Sequence, residues 1–360
     1  MSVLSILAGP KARQQLRENG LRAQDIAMLA GASGGPKWFV LYGIDRYLSG
    51  SFFKGRHTPL ATIGTSAGAW RLACMGLNDP LCGIERLARR YSTQTYSSER
   101  PDRREVSREA RQMVHHVLGD TGAEEIVGNA VIRTHIIADR ARGMVKSERP
   151  AVLAGGLAAC GLANAFSRRS LGWFFERTVF ASHPGTLPFA FDDLPTRHVA
   201  LTGGNVMDAL MATGSIPLVM EGVRGVPGAP DALFRDGGIT DYHFDLPFSS
   251  VDGLVLYPHF YAGLVPGWFD KLVRWRRIHP EHFDNVVVLA PSASFVATLP
   301  YGKIPDRKDF EVMETGQRID YWTRTLDASQ VLGDAVADLV ENGRGLDDIR
   351  PLTAARRKHL

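Results

Sequence analysis

A serine flanked by small residues lies in Gly64-Thr65-Ser66-Ala67-Gly68, a G-x-S-x-G pentapeptide. In this pattern a sharp turn from a strand to a helix exposes the serine hydroxyl, and the flanking glycines prevent clashes. The helix that follows directs its N-terminal dipole towards a developing oxyanion. Because the pentapeptide follows the apolar run Leu60 to Ile63 and precedes a plausible helix, it predicts that Ser66 is a nucleophile.

A second glycine-rich turn, Ser33-Gly34-Gly35-Pro36-Lys37, follows the apolar run Ile26 to Ala32. The N–H groups at the start of a helix can bind a phosphate or an oxyanion. The spacing matches neither the phosphate-binding G-x-x-x-x-G-K-[ST] nor the dinucleotide-binding G-x-G-x-x-G pattern. Next to a nucleophilic serine in a parallel sheet, the turn is better interpreted as an oxyanion hole.

The third candidate is Asp236, in Phe234-Arg235-Asp236-Gly237-Gly238. An acidic residue at the end of a short strand, followed by two glycines, can reach a cleft without steric cover. Asp-Gly-Gly also forms ordinary turns. The motif therefore indicates a catalytic acidic residue only in combination with the two preceding motifs.

The elements around these residues predict an α/β fold with a mainly parallel sheet. Residues 25–48 and 60–77 each combine an apolar strand, a small-residue turn and a helix, and such units favour right-handed parallel crossovers. Further strands are predicted near residues 129–139, 198–201, 233–235, 253–257 and 286–289, and a short helix at 205–212. We expect one domain over residues 20–300 with helical insertions at about 83–128 and 151–192. A helical extension over 301–360, with the basic end Arg356, Arg357 and Lys358, is expected to pack on it.

Two apolar segments could contact lipid. The uncharged run Ala151 to Ser167 is too short and too rich in Ala and Gly for a membrane span, so a buried or interfacial helix is predicted. The aromatic cluster from Trp173 to Phe191 is more often core or lid packing than a ligand site, although an acyl chain needs such a surface.

The composition excludes several classes of protein. The chain has 360 residues, of which 44% are hydrophobic and 22% charged, as in globular proteins. The net charge of +4 is spread along the chain, which excludes a nucleic-acid-binding arm and allows a mildly basic face towards anionic lipid. Three cysteines without metal-type spacing exclude a disulfide scaffold, and no basic region precedes the first apolar stretch. We expect a cytoplasmic protein with room for peripheral membrane contact; its oligomeric state is not predicted.

Together the motifs resemble the patatin-like phospholipase family. LAGASGGPKWFVLYGIDRYL resembles its glycine-rich oxyanion segment, and IGTSAGA its nucleophile elbow. MATGSIPLVMEGV, from Met211 to Val223, resembles its Ala-Ser-x-Ala-x-Pro block, and LFRDGGITDYHFDLP its Asp-Gly-Gly/Ala motif. The order and the spacing agree from about Leu29 to about Pro247.

This resemblance implies a three-layer α/β/α fold and hydrolysis of lipid or acyl esters through an acyl-serine intermediate, without a cofactor or metal. Ser66 is the implied nucleophile and Asp236 the general base of a Ser–Asp dyad. The oxyanion hole would be formed by N–H groups of Gly34, Gly35 and Ala67, and Lys37 would support the loop or contact an anionic head group. The motif glycines are Gly64, Gly68, Gly237 and Gly238.

The first loop departs from the family pattern. Ala32 replaces the usual acidic residue, Ser33 the first glycine, and Trp38 the glycine after the basic residue. These departures motivate an alternative, a catalytically silent lipid-binding or scaffold protein. Acyl transfer to an acceptor other than water would use the same dyad and is a further alternative.

Two other interpretations concern the histidines. A Ser-His-Asp hydrolase has several strands before the elbow, whereas about one strand–helix unit precedes Ser66. The histidines that follow lie in no signature of a base: His243, His259, His279 and His282. A metal site could use Asp241, His243, Asp245 and His259, but Asp-x-His-x-Asp is more commonly a polar strand face or loop, so no metal site is predicted.

Overall fold

The computed structural model describes residues 2–353, so the predicted basic end lies outside the described residues. The strands within this range are β1 (Leu4–Ala8), β2 (Ile26–Gly31), β3 (Leu60–Thr65), β4 (Ile132–Ala141), β5 (Phe175–Ala181), β6 (Thr196–Ala200), β7 (Phe234–Asp236), β8 (Leu254–Pro258), β9 (Val286–Pro291) and β10 (Arg350–Pro351). They form one sheet in the order β10-β1-β9-β8-β2-β3-β4-β5-β6, and β7 pairs with β4. The five strands from β9 to β4 in this order are parallel, whereas β1, β5 and β7 each pair antiparallel with a neighbour.

Helices flank this mainly parallel sheet, which confirms the predicted three-layer α/β/α fold. The α-helices of the described residues are α1 (Pro10–Asn19), α2 (Tyr42–Tyr47), α3 (Ala67–Cys74), α4 (Pro80–Ser92), α5 (Arg103–Leu118), α6 (Gly122–Gly128), α7 (Pro150–Phe166), α8 (Val206–Gly214), α9 (Ala293–Thr298), α10 (Asp309–Val312), α11 (Thr315–Ala328) and α12 (Gln330–Asn342). The helix expected after the turn in residues 25–48 begins as a 3₁₀ segment, Gly35–Leu41, and continues as α2.

Each predicted strand occurs with its ends shifted by a few residues, but β1, β5 and the two-residue β10, in the extension expected to be helical, were not predicted. β1 pairs with β9, so the sheet includes residues that precede position 20. β5 lies inside the segment 151–192, which was expected to be helical. All seven residues of β5 are buried, including two charged residues, Glu176 and Arg177. This strand therefore lacks the alternation of polar and apolar residues that marks a half-exposed strand.

The uncharged run that begins at Ala151 forms α7, one face of which packs on the domain. Within residues 2–353, no helix has both the length and the apolar character that crossing a bilayer requires.

Candidate active site

Ser66 lies in the turn between β3 and α3, with φ 51° and ψ −130°. Such a conformation costs a residue other than glycine about 1–3 kcal/mol and is concentrated at functional sites. The two neighbouring glycines are sterically required. A Cβ at Gly68 would lie 2.0 Å from the carbonyl oxygen of Gly31, and one at Gly64 would lie 2.6 Å from Cα of Ala69. The sequence of the elbow thus allows α3 to pack closely against β2 and to hold the serine in its strained position.

The structure brings Ser66 and Asp236 together. The hydroxyl of Ser66 donates a hydrogen bond of 2.9 Å to Oδ2 of Asp236, and Oδ1 accepts the N–H of Gly238 at 2.7 Å. Each of the two paired residues is 5% exposed. Their meeting follows from the sheet, because β7 pairs with β4 next to β3 and places Asp236 opposite Ala138.

The two glycines after Asp236 permit this approach. A Cβ at Gly237 would lie 2.0 Å from the carbonyl oxygen of Ile137 in β4. A Cβ at Gly238 would lie 2.4 Å from Oγ of Ser33 in the first glycine-rich turn. The Asp-Gly-Gly motif is therefore packed against both the sheet and that turn, and neither glycine can be replaced without displacing a neighbour.

Burial raises the pKa of Asp236 to about 6. The hydrogen bonds from Gly238 and Ser66 and the positive charges of Arg307 and Lys271 act in the opposite direction. The carboxylate is consequently ionised at neutral pH but more basic than an exposed aspartate, which suits a group that must accept a serine proton.

Three N–H groups near Ser66 are available to an oxyanion. The N–H of Ser33 donates to the carbonyl oxygen of Tyr242 at 2.9 Å, which anchors the first turn. Within residues 2–353, the N–H groups of Gly34, Gly35 and Ala67 donate to no acceptor. Of these residues, Gly35 and Ala67 line the same cavity as Ser66. Ala67 begins α3, so its N–H has no partner within the helix.

The cavity next to Ser66 has a volume of about 310 Å³. Its apolar side chains come from the elbow helix, from α5, from the segment after α8 and from α10: Trp70, Val106, Ala110, Met113, Ile216, Leu218, Val219, Met220 and Phe310. The predicted insertion around α5 thus forms part of the wall. The aromatic cluster from Trp173 to Phe191 contributes nothing to the cavity, since its members lie in the core, on the core surface or in solvent.

The block from Met211 to Val223 has two roles that its sequence did not predict. It supplies four of the cavity side chains, and its Thr213 fixes the elbow. The N–H of Ser66 donates to Oγ1 of Thr213 at 2.8 Å. A buried threonine in an Ala- and Met-rich helix gives little signal by itself, because it resembles any small core residue.

Cationic side chains surround the site. Burial lowers the pKa of Lys37, and it lowers that of Lys271 to about 7; repulsion from neighbouring positive charges acts in the same direction. Nζ of Lys271 lies 3.7 Å from the ring centre of Tyr242, and Arg307 lines the cavity. In the described part of the chain, neither Lys37 nor Arg307 forms an ion pair. Lys271 and Arg307 were not predicted as site residues, because they lie in segments without a motif.

The histidines do not contact the serine hydroxyl, whose partner is Asp236. Nδ1 of His243 accepts the N–H of Val265 at 3.0 Å, and Nδ1 of His259 lies against the backbone of Tyr261. His279 and His282 both bond to Asp245. This arrangement favours a Ser–Asp pair over a triad.

The group Asp241, His243, Asp245 and His259 does not converge on a metal position. Asp241 instead forms a buried ion pair of 2.6 Å with Arg177. Asp245 lies with His279 and His282, and the ligand atoms of these three residues are within 4.8 Å of one another. Two imidazoles and a carboxylate could hold a divalent transition metal. The contacts of 2.8 and 3.0 Å are equally ordinary hydrogen bonds that fasten the segment before β9.

Gly35→Val is expected to lower kcat more than it raises KM. Gly35 has φ +53°, which a β-branched residue resists, and a side chain there would crowd the approach of a carbonyl group to the nearby N–H donors. Steady-state kinetics on a soluble ester measure the effect. The control is Gly55→Val, since Gly55 has φ +75° and no atom within 4 Å of its added Cβ. An unchanged kcat in folded Gly35→Val protein would show that the oxyanion donors lie elsewhere.

Comparison with known proteins gives only distant structural similarity. No model of a known protein family matches the chain, and no curated protein matches it. Among solved structures, the crystal structure of VipD from Legionella pneumophila is similar at 11% sequence identity and a TM-score of 0.34. The alignment covers 97% of this chain and 75% of that chain.

Proposed function

We propose that the chain is a patatin-like lipid acyl hydrolase that cleaves carboxylic esters through an acyl-Ser66 intermediate. The observation that carries the proposal is the hydrogen bond of 2.9 Å between the Ser66 hydroxyl and the Asp236 carboxylate, next to an apolar cavity. The pKa of Asp236, near 6, suits a general base at neutral pH.

In the first half-reaction, Asp236 takes the hydroxyl proton of Ser66 as its oxygen attacks the ester carbonyl carbon. The N–H groups of Gly35 and Ala67, with Gly34 nearby, donate to the oxyanion that forms. The tetrahedral intermediate collapses, the ester C–O bond breaks, and the proton on Asp236 passes to the leaving alkoxide. The acyl group remains on Ser66, and an alcohol is released.

In the second half-reaction, Asp236 takes a proton from water, whose oxygen attacks the acyl carbon. The second tetrahedral intermediate expels the Ser66 oxygen, which regains the proton from Asp236. The products are a carboxylic acid and the free enzyme. Each step uses the same base and the same N–H donors, so the chemistry needs no group beyond the chain and water.

The surroundings of the dyad support a substrate with one apolar and one anionic part. The cavity wall is largely apolar, and pockets of this size and character bind apolar ligands. Lys271 and Arg307 place positive charge close to Asp236, and Lys37 lies close to both of these cations. An anionic group near the ester would reduce the repulsion among these cations, which favours a phospholipid or another acidic acyl ester.

Removal of a cation is expected to reduce activity more on anionic than on neutral esters. Arg307→Ala and Lys37→Ala should each raise KM for an anionic substrate about five- to tenfold, because the attraction between the cation and the anionic group of the substrate is lost. The control is Lys308→Ala, which replaces the next residue, also exposed but not part of the cavity lining. It should leave the KM for both substrates unchanged. Equal losses on the two substrates would contradict a role in head-group recognition.

The proposed activity is tested by hydrolysis of a chain-length series of p-nitrophenyl esters, run beside phospholipid and neutral-lipid substrates. We expect turnover of at least one ester class and a preference for acyl chains that fill the cavity. Absence of hydrolysis of every ester by folded protein would contradict the proposal and favour the silent lipid-binding alternative.

A further inference from the structure

Helix α7 has no polar face, although half of it lies in solvent. Its seventeen residues include no charged side chain, and the face that packs on the domain consists of Leu153, Gly156, Cys160 and Asn164. On the other side Leu162 is 69% exposed and Phe166 is 93% exposed. A surface helix normally turns charged or polar residues outward, so an apolar outer face indicates a partner.

The segment 268–277 continues this exposed apolar surface. Leu272 is 87% exposed, Trp275 70% and Trp268 41%. We refer to these three side chains together with Leu162 and Phe166 as the apolar face.

Buried contacts join the two parts of the apolar face. The side-chain amide of Asn164 in α7 donates to Oδ1 of Asp270 at 2.7 Å. The guanidinium of Arg276 donates to the carbonyl oxygen of Asn164 at 2.5 Å and pairs with Asp270 at 3.2 Å. The apolar side chains are therefore presented by two elements that are fixed to one another, rather than scattered singly over the surface.

Basic residues border the apolar face. Arg169, Arg274 and Arg277 are exposed, and in the described range none of the three pairs with an acidic side chain. Asp270, the one acidic residue of the segment 268–277, is buried and paired with arginines. The border thus carries a positive charge without a counter-charge in the protein.

We propose that the apolar face docks the protein on an anionic lipid surface. Exposed Trp, Phe and Leu next to Arg is the composition of segments that lie in the membrane interface, where aromatic rings enter the acyl boundary and the arginines meet lipid phosphates. A second copy of the chain fits less well. A twofold contact through this face would bring the same unpaired arginines of both copies together.

The apolar face is linked to the candidate active site by Lys271. This residue lies between Trp268 and Leu272, and its Nζ lies over the ring of Tyr242, whose carbonyl oxygen holds the first glycine-rich turn. Docking would therefore bring lipid close to the dyad. The relevance of docking to catalysis rests on the proposed function, whereas the docking itself does not.

The test uses the full chain with Ser66→Ala, so that lipid is not consumed, and sedimentation with phosphatidylcholine vesicles with or without phosphatidylglycerol. We expect stronger binding to the anionic vesicles. Phe166→Ser combined with Trp275→Ser should weaken it about tenfold or more, because two large apolar side chains no longer enter the interface. The control is Val331→Ser, because Val331 is an apolar residue of α12 that is 38% exposed and lies outside the apolar face.

The charged border has its own variant. Arg169→Glu combined with Arg274→Glu should abolish the preference for anionic vesicles, whereas Arg17→Glu, on the exposed side of α1, should not. The proposal is overturned if the variants of the apolar face bind vesicles as the parent does, or if neither vesicle type binds. It is also overturned if the same substitutions instead dissolve a dimer measured by analytical ultracentrifugation.

Hydrolysis of a soluble short-chain ester separates this proposal from the proposed function. With Ser66 restored, the variants of the apolar face should hydrolyse that ester at the parent rate. Loss of vesicle binding with retained ester hydrolysis supports docking by this face. Vesicle binding by a chain that hydrolyses no ester would contradict the proposed function alone.

Discussion

Ser66→Ala is expected to lower ester turnover by about a thousandfold or more, because it removes the nucleophile while the binding cavity remains. The fold should survive, since alanine keeps the Cβ and therefore leaves the backbone strain of the elbow unchanged. Turnover of a p-nitrophenyl ester and the melting temperature measure the two effects.

The matched control for this variant is Ser170→Ala. Ser170 is also buried, and its hydroxyl donates to the carbonyl oxygen of Ser167 at 2.7 Å, in a part of the chain that does not line the cavity. Its replacement should leave turnover unchanged. Wild-type activity in folded Ser66→Ala protein would disprove the acyl-Ser66 mechanism.

Asp236→Asn is expected to lose nearly as much activity as Ser66→Ala. The asparagine oxygen can still accept the N–H of Gly238, and the amide can still contact Ser66, but it cannot accept the serine proton at neutral pH. His243→Ala, His259→Ala and His282→Ala should each retain substantial turnover. A folded histidine variant as inactive as Ser66→Ala would instead support a triad.

Asp236→Asn should also increase the stability of the folded protein at neutral pH. The pKa of Asp236 is about 6 in the folded protein and about 3.9 in an unfolded chain, so the folded state binds more protons between these values. The favourable contribution of the protonated carboxyl is present below the unfolded value and is lost as the pH rises through about 6. Asp236→Asn avoids this loss, so its melting temperature should exceed that of the parent at pH 7.5 and not at pH 4. A lower melting temperature of Asp236→Asn at pH 7.5 would contradict the conclusion that burying the ionised carboxylate of Asp236 destabilises the fold.

The fold class could be predicted from the sequence, as could the two motifs whose side chains meet, Ser66 and Asp236, because close backbone packing requires glycine at fixed positions. In the elbow, Gly64 packs against Ala69 of the same strand–turn–helix unit, and Gly68 packs against the backbone of Gly31 at the end of β2. In the Asp-Gly-Gly motif, Gly237 packs against the backbone of Ile137 and Gly238 packs against Ser33. Because a Cβ would clash at each of these contacts, the glycines they require leave a pattern in the sequence.

Features that depend on long side chains, or on which elements pack against each other, left no such pattern. Arg307 and Lys271 follow Ser66 by 241 and 205 positions in the sequence. Nothing in the sequence around either residue distinguishes it from an ordinary surface cation. The strand β5 was missed because it is buried on both faces and its charges are paired within the protein. The exposure of α7 depends on which elements pack against it, and the uncharged sequence of the helix does not predict these elements.

The central claim is that Ser66 is activated by Asp236, and the rate at which a fluorophosphonate labels the protein tests it most directly. We predict labelling of Ser66 alone, identified by mass spectrometry of peptides. The rate should rise with pH through about 6 as Asp236 ionises and then level off, and Asp236→Asn should nearly abolish it. Folded protein that is not labelled at Ser66, or that is labelled there equally fast with Asp236→Asn, would contradict the account.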